Sequence, residues 1–124
     1  MKVLIVEDDK FLRDLVAKKL ENEKITFKLA VDGEQGLSLA IREKPDLILL
    51  DILLPGLDGY GVLERIRATP ELKQTIIIML SNFGQREDIE KAMKLGANLF
   101  LIKAAITLDE VVEKAKELLA VAPT

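Results

Sequence analysis

Val3-Leu4-Ile5-Val6 is a short unbroken apolar run that stops at Glu7-Asp8-Asp9. A run of that length, continuous rather than alternating, is what a strand covered on both faces requires, as in a parallel sheet. Four more short apolar runs recur, most of them also continuous: Phe27 to Val31, Leu47 to Leu50, Ile76 to Leu80 and Leu99 to Ile102. Apolar runs alone do not separate buried strand from buried helix, but the spacing between them does.

Helical segments alternate with the runs. Phe11, Leu12, Leu15, Val16 and Leu20 share one helical face, and so do Leu108, Val111, Val112, Ala115, Leu118 and Leu119. Asp32-Gly33 opens a helix that ends before Pro45, Asp58-Gly59 opens another that ends before Pro70, and Gly84 to Leu95 forms one stopped by Gly96. A strand followed by a helix, five times over, predicts right-handed crossovers and an α/β doubly wound sheet with helices on both faces. The predicted topology is a (βα)5 flavodoxin-like three-layer sandwich with parallel strand order 2-1-3-4-5, whose switch point lies beside the first and third strands. Function is expected at the carboxyl ends of those strands.

Composition narrows the chemistry. The chain has 124 residues, 49% of them apolar, with 18 Lys+Arg against 21 Asp+Glu and neither Cys nor His. That length suits a single domain, expected over 1–120, followed by a short tail at 121–124. A disulfide framework, a zinc site, a Cys/His nucleophile and a Ser-His-Asp triad are excluded. Carboxylates, hydroxyls, lysines and a hard metal ion remain. Interspersed charge of both signs offers no broad basic field for nucleic acid or anionic lipid. The first apolar run is too short for a signal peptide, and no run spans a bilayer. The expectation is a soluble cytoplasmic protein whose partner is another protein or a small ion, with no direct nucleic acid or membrane contact.

The first polar residues after each run are Glu7, Asp8 and Asp9, then Asp51, then Ser81-Asn82, then Lys103. A parallel sheet would gather them on one edge. Like charges a few ångströms apart repel by several kcal/mol at an effective dielectric near 20, so the acids need a cation or a shared proton. Oxygen ligands without His or Cys select Mg²⁺, Mn²⁺ or Ca²⁺, and Mg²⁺, content with few protein ligands plus water and phosphate oxygens, fits best. Asp9 and Asp58 directly precede helical sequence and read first as helix N-caps. Asp51 does not, because Leu53-Leu54-Pro55-Gly56 intervenes before any helix. Neither G-x-G-x-x-G nor G-x-x-x-x-G-K-[ST] occurs, so phosphate could enter only with a metal.

These residues in this order resemble the receiver domain of two-component response regulators, the CheY-like superfamily. The resemblance runs from Val3-Leu4-Ile5-Val6-Glu7-Asp8-Asp9 through Leu50-Asp51-Ile52-Leu53-Leu54-Pro55-Gly56-Leu57-Asp58-Gly59, Met79-Leu80-Ser81 and Gly96-Ala97-Asn98-Leu99-Phe100-Leu101-Ile102-Lys103. It implies that Asp51 is the phosphoryl acceptor and that Mg²⁺ is held by Asp8, by Glu7 through water, by Asp51 and by the Leu53 carbonyl. It further implies that Ser81 and Lys103 contact the phosphoryl oxygens and that Phe100 is the switch aromatic. The implied donor is a sensor histidine kinase or a histidine phosphotransfer protein in a phosphorelay. The implied output is a changed surface of the fourth helix, fifth strand and fifth helix that regulates a downstream protein target.

Several positions depart from the family's pattern. Ala104 follows Lys103 where the family usually has proline, often through a cis bond; a non-proline cis bond costs about 2.5–4 kcal/mol, so a trans peptide and a differently aimed lysine are expected. Asn82 stands where Ala or Gly is common and is expected to narrow access to the phosphoryl group. Leu53 and Phe83 are apolar at the family's variable positions and cannot orient a water, so self-dephosphorylation should be slow. Asn98-Leu99 lacks the acidic pair that transcription-factor members carry in their dimers, which favours a monomer or weak dimer. Two other readings stand beside the phosphorylation switch. One is a constitutive receiver-fold interaction domain. The other, a metal-dependent phosphohydrolase with Asp51 as nucleophile, is weakened by Leu53 where such enzymes place a second aspartate.

Overall fold

The computed structural model describes residues 1–82 and 84–121. Phe83, one of the two expected apolar variable positions, lies outside the described residues, as does the expected tail apart from Val121. Five strands, β1 (Lys2–Val6), β2 (Thr26–Ala30), β3 (Leu47–Asp51), β4 (Ile76–Ser81) and β5 (Leu99–Ile102), form one sheet in the order β2-β1-β3-β4-β5. All neighbouring pairs are parallel. The helices between and after them are α1 (Lys10–Asn22), α2 (Gly33–Glu43), α3 (Gly59–Arg67), α4 (Arg86–Lys94) and α5 (Leu108–Ala120). The predicted doubly wound order is therefore the observed one.

The two faces of the sheet follow from strand geometry, since successive side chains point to opposite sides. Val3, Ile5, Leu47, Leu49, Ile76, Ile78 and Leu80 pack with Val16 and Leu20 of α1 and Val111, Val112 and Ala115 of α5. Leu4, Val6, Ile48, Leu50, Ile77 and Met79 pack instead with Leu39 and Ala40 of α2, Val62, Leu63 and Ile66 of α3, and Ala92 of α4. Each fully buried Leu or Ile contributes about 1.5–3 kcal/mol, which is why β1, β3 and β4 are continuous apolar runs. At the sheet edge β2 alternates instead, with Thr26 and Lys28 exposed.

Side-chain caps set where the helices begin. Asp9, Asp32, Asp58 and Thr107 accept hydrogen bonds from Leu12, Gln35, Gly61 and Glu110 N–H groups. Asp9 and Asp58 are thus caps, as their position before helical sequence indicates. Val31, expected in the second strand, leaves the ladder because its N–H donates to Gln35 Oε1 at 2.7 Å. The helix expected from Gly84 starts instead at Arg86, with Gln85 as an N-cap that makes no side-chain bond. Glycine within a helix loses more conformational freedom than other residues, and Gly84 is packed so closely on Ile102 that a Cβ there would lie 2.1 Å from its Cδ1.

Helix α4 is joined to α3 through Tyr60. Its hydroxyl donates to the Asp88 carbonyl at 3.2 Å, and Lys91 Nζ stands 4.3 Å from the ring centroid. Burial, with the nearby charges of Asp88 and Asp58, raises the phenol pKa. Asn98 is used internally: its Oδ1 accepts from Ile77 N at 2.8 Å and from Arg67 Nη2 at 3.0 Å.

Helix α2 ends on Lys44 in the left-handed conformation, with φ 47° and ψ 60°. That region strains any residue with a Cβ, and glycine is its usual occupant at a helix end. Lys44→Gly should therefore raise the unfolding free energy by about 0.5–1 kcal/mol after allowing for the looser unfolded chain, read as an upward shift of the urea midpoint at unchanged slope. A lowered midpoint would refute this account of the turn.

Candidate functional site

The carboxyl ends of β1, β3 and β4 lie side by side in the sheet, with β5 beside β4. Glu7 follows β1, and its N–H donates to the Ala30 carbonyl at 3.1 Å, extending the ladder by one step. Its side chain is buried, whereas Asp8 is exposed. Asp51 ends β3 and Ser81 ends β4, both buried. Ser81 pairs in register with Ile102, the residue before Lys103.

Lys103 closes the constellation from the far end of the chain. Its Nζ donates to Glu7 Oε1 at 2.6 Å and lies 3.2 Å from Asp51 Oδ2. The expectation of a differently aimed lysine is not met. The peptide bonds of the described residues are all trans, and a single 3₁₀ turn over Lys103–Ala105 still directs the ammonium into the acids.

Glu7, Asp8 and Asp51 each offer a carboxylate oxygen within 4.8 Å of the others. At that separation two carboxylates repel by about 3–4 kcal/mol at an effective dielectric near 20. Burial raises the Glu7 pKa above the usual 4.5; the Lys103 hydrogen bond opposes this and the Asp51 charge reinforces it. Burial alone would lower the Lys103 pKa, but the hydrogen bond to Glu7 and the charges of Asp51 and Glu7 outweigh it and raise the value. Lys103 is therefore a permanent cation here.

Three acids against one ammonium leave a formal charge of −2 at the sheet edge. Oxygen-only donors, two buried and one open to solvent, fit a hard divalent cation that keeps several waters, which describes Mg²⁺ better than Zn²⁺ or Cu²⁺. Arg13, which the sequence reading passed over, pins the acidic turn: its Nη1 donates to the carbonyls of Glu7 at 2.9 Å and Asp8 at 3.3 Å. Its place in the first turn of α1, one turn beyond the acids, is the only sequence signal for that role.

The remaining expected residues are more dispersed. Leu53 lies in the loop after β3 with its side chain exposed. Asn82 is exposed at a bend beyond Ser81. Phe100 of β5 pairs with Met79 of β4 and packs, half-buried, against the core beneath α2, α3 and α4.

A parallel five-stranded sheet with acids at two strand ends and a lysine at a third defines a class, the doubly wound domain with an acidic cation site at its carboxyl edge. The response regulator receiver domain model matches residues 3–116. The chain belongs to the response regulator receiver domain family. The DNA-binding dual master transcriptional regulator RpaA of Synechocystis is 35% identical over 118 residues, 95% of this chain and 48% of RpaA. An uncharacterized 14.6 kDa protein of Leptolyngbya boryana is 33% identical over 109 residues, covering 88% of this chain and 83% of that protein. A response regulator structure from Chloroflexus aurantiacus superposes with a TM-score of 0.88 at 32% identity, covering 96% of this chain and 97% of that one. The chain thus spans less than half the length of RpaA. Phosphorylation switching is the general function of this family, and its receiver domains typically bind Mg²⁺ at an acidic pocket. Among the described residues no helix is long and apolar enough to cross a membrane.

Two outcomes follow from the charge geometry. Lys103→Ala leaves two buried carboxylates facing each other, and in chelator it should destabilise the domain by about 3 kcal/mol, with Mg²⁺ restoring part of the loss; a change below about 1 kcal/mol would contradict the charge assignment. Because the native pKa of Glu7 is raised, its stabilising contribution is complete below pH 4.5 and declines as pH rises through the elevated value. Glu7→Gln should flatten that part of the stability curve measured in chelator, and an unchanged slope would assign the pH dependence elsewhere.

Proposed function

We propose that this chain is a phosphorylation-switched signalling receiver in which Asp51 accepts a phosphoryl group from a phosphohistidine donor. The observation that carries the reading is Lys103 Nζ standing 3.2 Å from Asp51 Oδ2 and 2.6 Å from Glu7 Oε1, beside three clustered carboxylates. Asp8, Glu7 through water, Asp51 and the Leu53 carbonyl are the proposed holders of Mg²⁺. When bound, Mg²⁺ supplies charge neutralisation at the phosphoryl oxygens.

An Asp51 carboxylate oxygen attacks phosphorus in line as the phosphorus–nitrogen bond to the donor imidazole breaks. The imidazole leaves with the bonding electron pair and takes up a proton. The Lys103 ammonium, kept charged by its acidic neighbours, turns to a phosphoryl oxygen and offsets its negative charge. Ser81, buried at the neighbouring strand end, donates its hydroxyl to another. The product carries roughly −1.5 to −2 charge, spread over three phosphoryl oxygens, where a single carboxylate carried −1. Phe100 then reorients within its half-buried site, and the face of α4, β5 and α5 changes toward a downstream protein. The donor is a sensor histidine kinase or histidine phosphotransfer protein, the setting is cytoplasmic, and the domain acts as a monomer or weak dimer.

Incubation with Mg²⁺ and acetyl phosphate or phosphoramidate should add one phosphoryl group by intact mass, absent from Asp51→Asn and from samples in chelator. An unchanged mass would make the chain a constitutive interaction domain, and continuous release of phosphate would make it a hydrolase. With Leu53 unable to orient a water, the adduct should persist for minutes or longer; decay within seconds in free Mg²⁺ would refute that role for the side chain.

A further inference from the structure

We propose that Glu34, in the first turn of α2, is a positioning residue for the cation site and acts through the loop that follows Asp51. The inference rests on the Mg²⁺ reading above and adds a residue from an element that contributes no ligand. Leu57 N–H donates to Glu34 Oε1 at 3.0 Å across 23 residues of sequence. Both Glu34 oxygens lie 2.7 Å from where a Cβ on Gly56 would stand, and Gly56 has φ +71°. The same turn of α2 also meets the next peptide of the loop, where a Cβ on Gly33 would fall 1.8 Å from the Leu57 carbonyl oxygen.

The loop over 52–58 is thus tied at two places. At its base, Gly59 N–H donates to the Ile52 carbonyl at 2.8 Å. At its far side, α2 meets Leu57 twice, by the Glu34 carboxylate on its N–H and by the close approach of Gly33 to its carbonyl. Between them lies Leu53, whose side chain is 58% exposed and so anchors nothing. Ile52 and Leu54 are buried on either side of it, but apolar burial is non-directional, whereas a hydrogen bond fixes orientation. Glu34 therefore orients the backbone that presents the Leu53 carbonyl to the ion. A plain alternative is that Glu34 only complements the α2 dipole. That role needs its charge, while positioning needs only its acceptor oxygen.

The test compares wild type, Glu34→Ala, Glu34→Gln and Gly56→Ala by titration calorimetry with Mg²⁺ alone, and by hydrogen exchange of residues 52–58 in chelator. Glu34→Ala should speed exchange at Leu57 and weaken Mg²⁺ binding by about threefold to tenfold, the worth of one hydrogen bond. Glu34→Gln, which keeps the acceptor, should stay within about twofold of wild type. Gly56→Ala, which displaces the carboxylate while retaining it, should behave like Glu34→Ala. Wild-type Mg²⁺ affinity in Glu34→Ala would overturn the proposal even if exchange quickens, and so would a Glu34→Gln as weak as Glu34→Ala. Absence of Mg²⁺ binding by the wild type would instead remove the underlying site reading, and this inference with it.

Discussion

One ammonium between two buried carboxylates is the constraint around which this molecule is arranged. Glu7 and Asp51 are removed from water at the sheet edge, where an isolated ionised acid is costly. Lys103 compensates both at once, reaching from the end of β5 past the end of β4 to the acids at the ends of β3 and β1. The sheet order and the charge balance therefore support each other. The compensation is also incomplete, since Asp8 adds a further negative group nearby. A site built this way is left receptive to a divalent ion.

The edge is connected to both layers of helices. From β1 the chain passes through Asp8 and Asp9 into α1, which packs on one face of the sheet, and Arg13 of α1 holds the carbonyls of that turn. From β3 it passes through the loop after Asp51 into α3, which packs on the opposite face. Close-packed interiors transmit small displacements rather than absorbing them. Gly59, at the start of α3, stands close against the Asp51 carbonyl, and α3 is tied in turn to α4 by Tyr60.

Much of this was legible in the residues and some was not, for identifiable physical reasons. Strand position and order follow from short apolar runs alternating with helical periodicity, which is a strong signal because each face must be covered. Asp51 stood apart from Asp9 and Asp58 because no helix begins directly after it, and those two do cap helices. Glu34 was invisible and Arg13 marked only by its place one turn beyond the acids, since a single charge on a helix surface looks the same whether it solvates or reaches another element. Asn98 was legible only as the absence of an acid; its amide oxygen instead joins β4 to Arg67. Ala104 pointed toward a misdirected lysine, but the 3₁₀ turn over Lys103–Ala105 leaves its ammonium on Glu7 and Asp51.

The ring of Tyr60 has a practical consequence. It is the chain's one tyrosine, in a sequence without tryptophan, and it sits where α3 meets α4, hydrogen-bonded to a helix carbonyl and covered by a lysine. Excited at wavelengths beyond the absorption of its four phenylalanines, the unlabelled protein therefore emits from that single seam. Any signal that opens or tightens the junction is readable optically, with no dye, no engineered reporter and no background from elsewhere in the polypeptide.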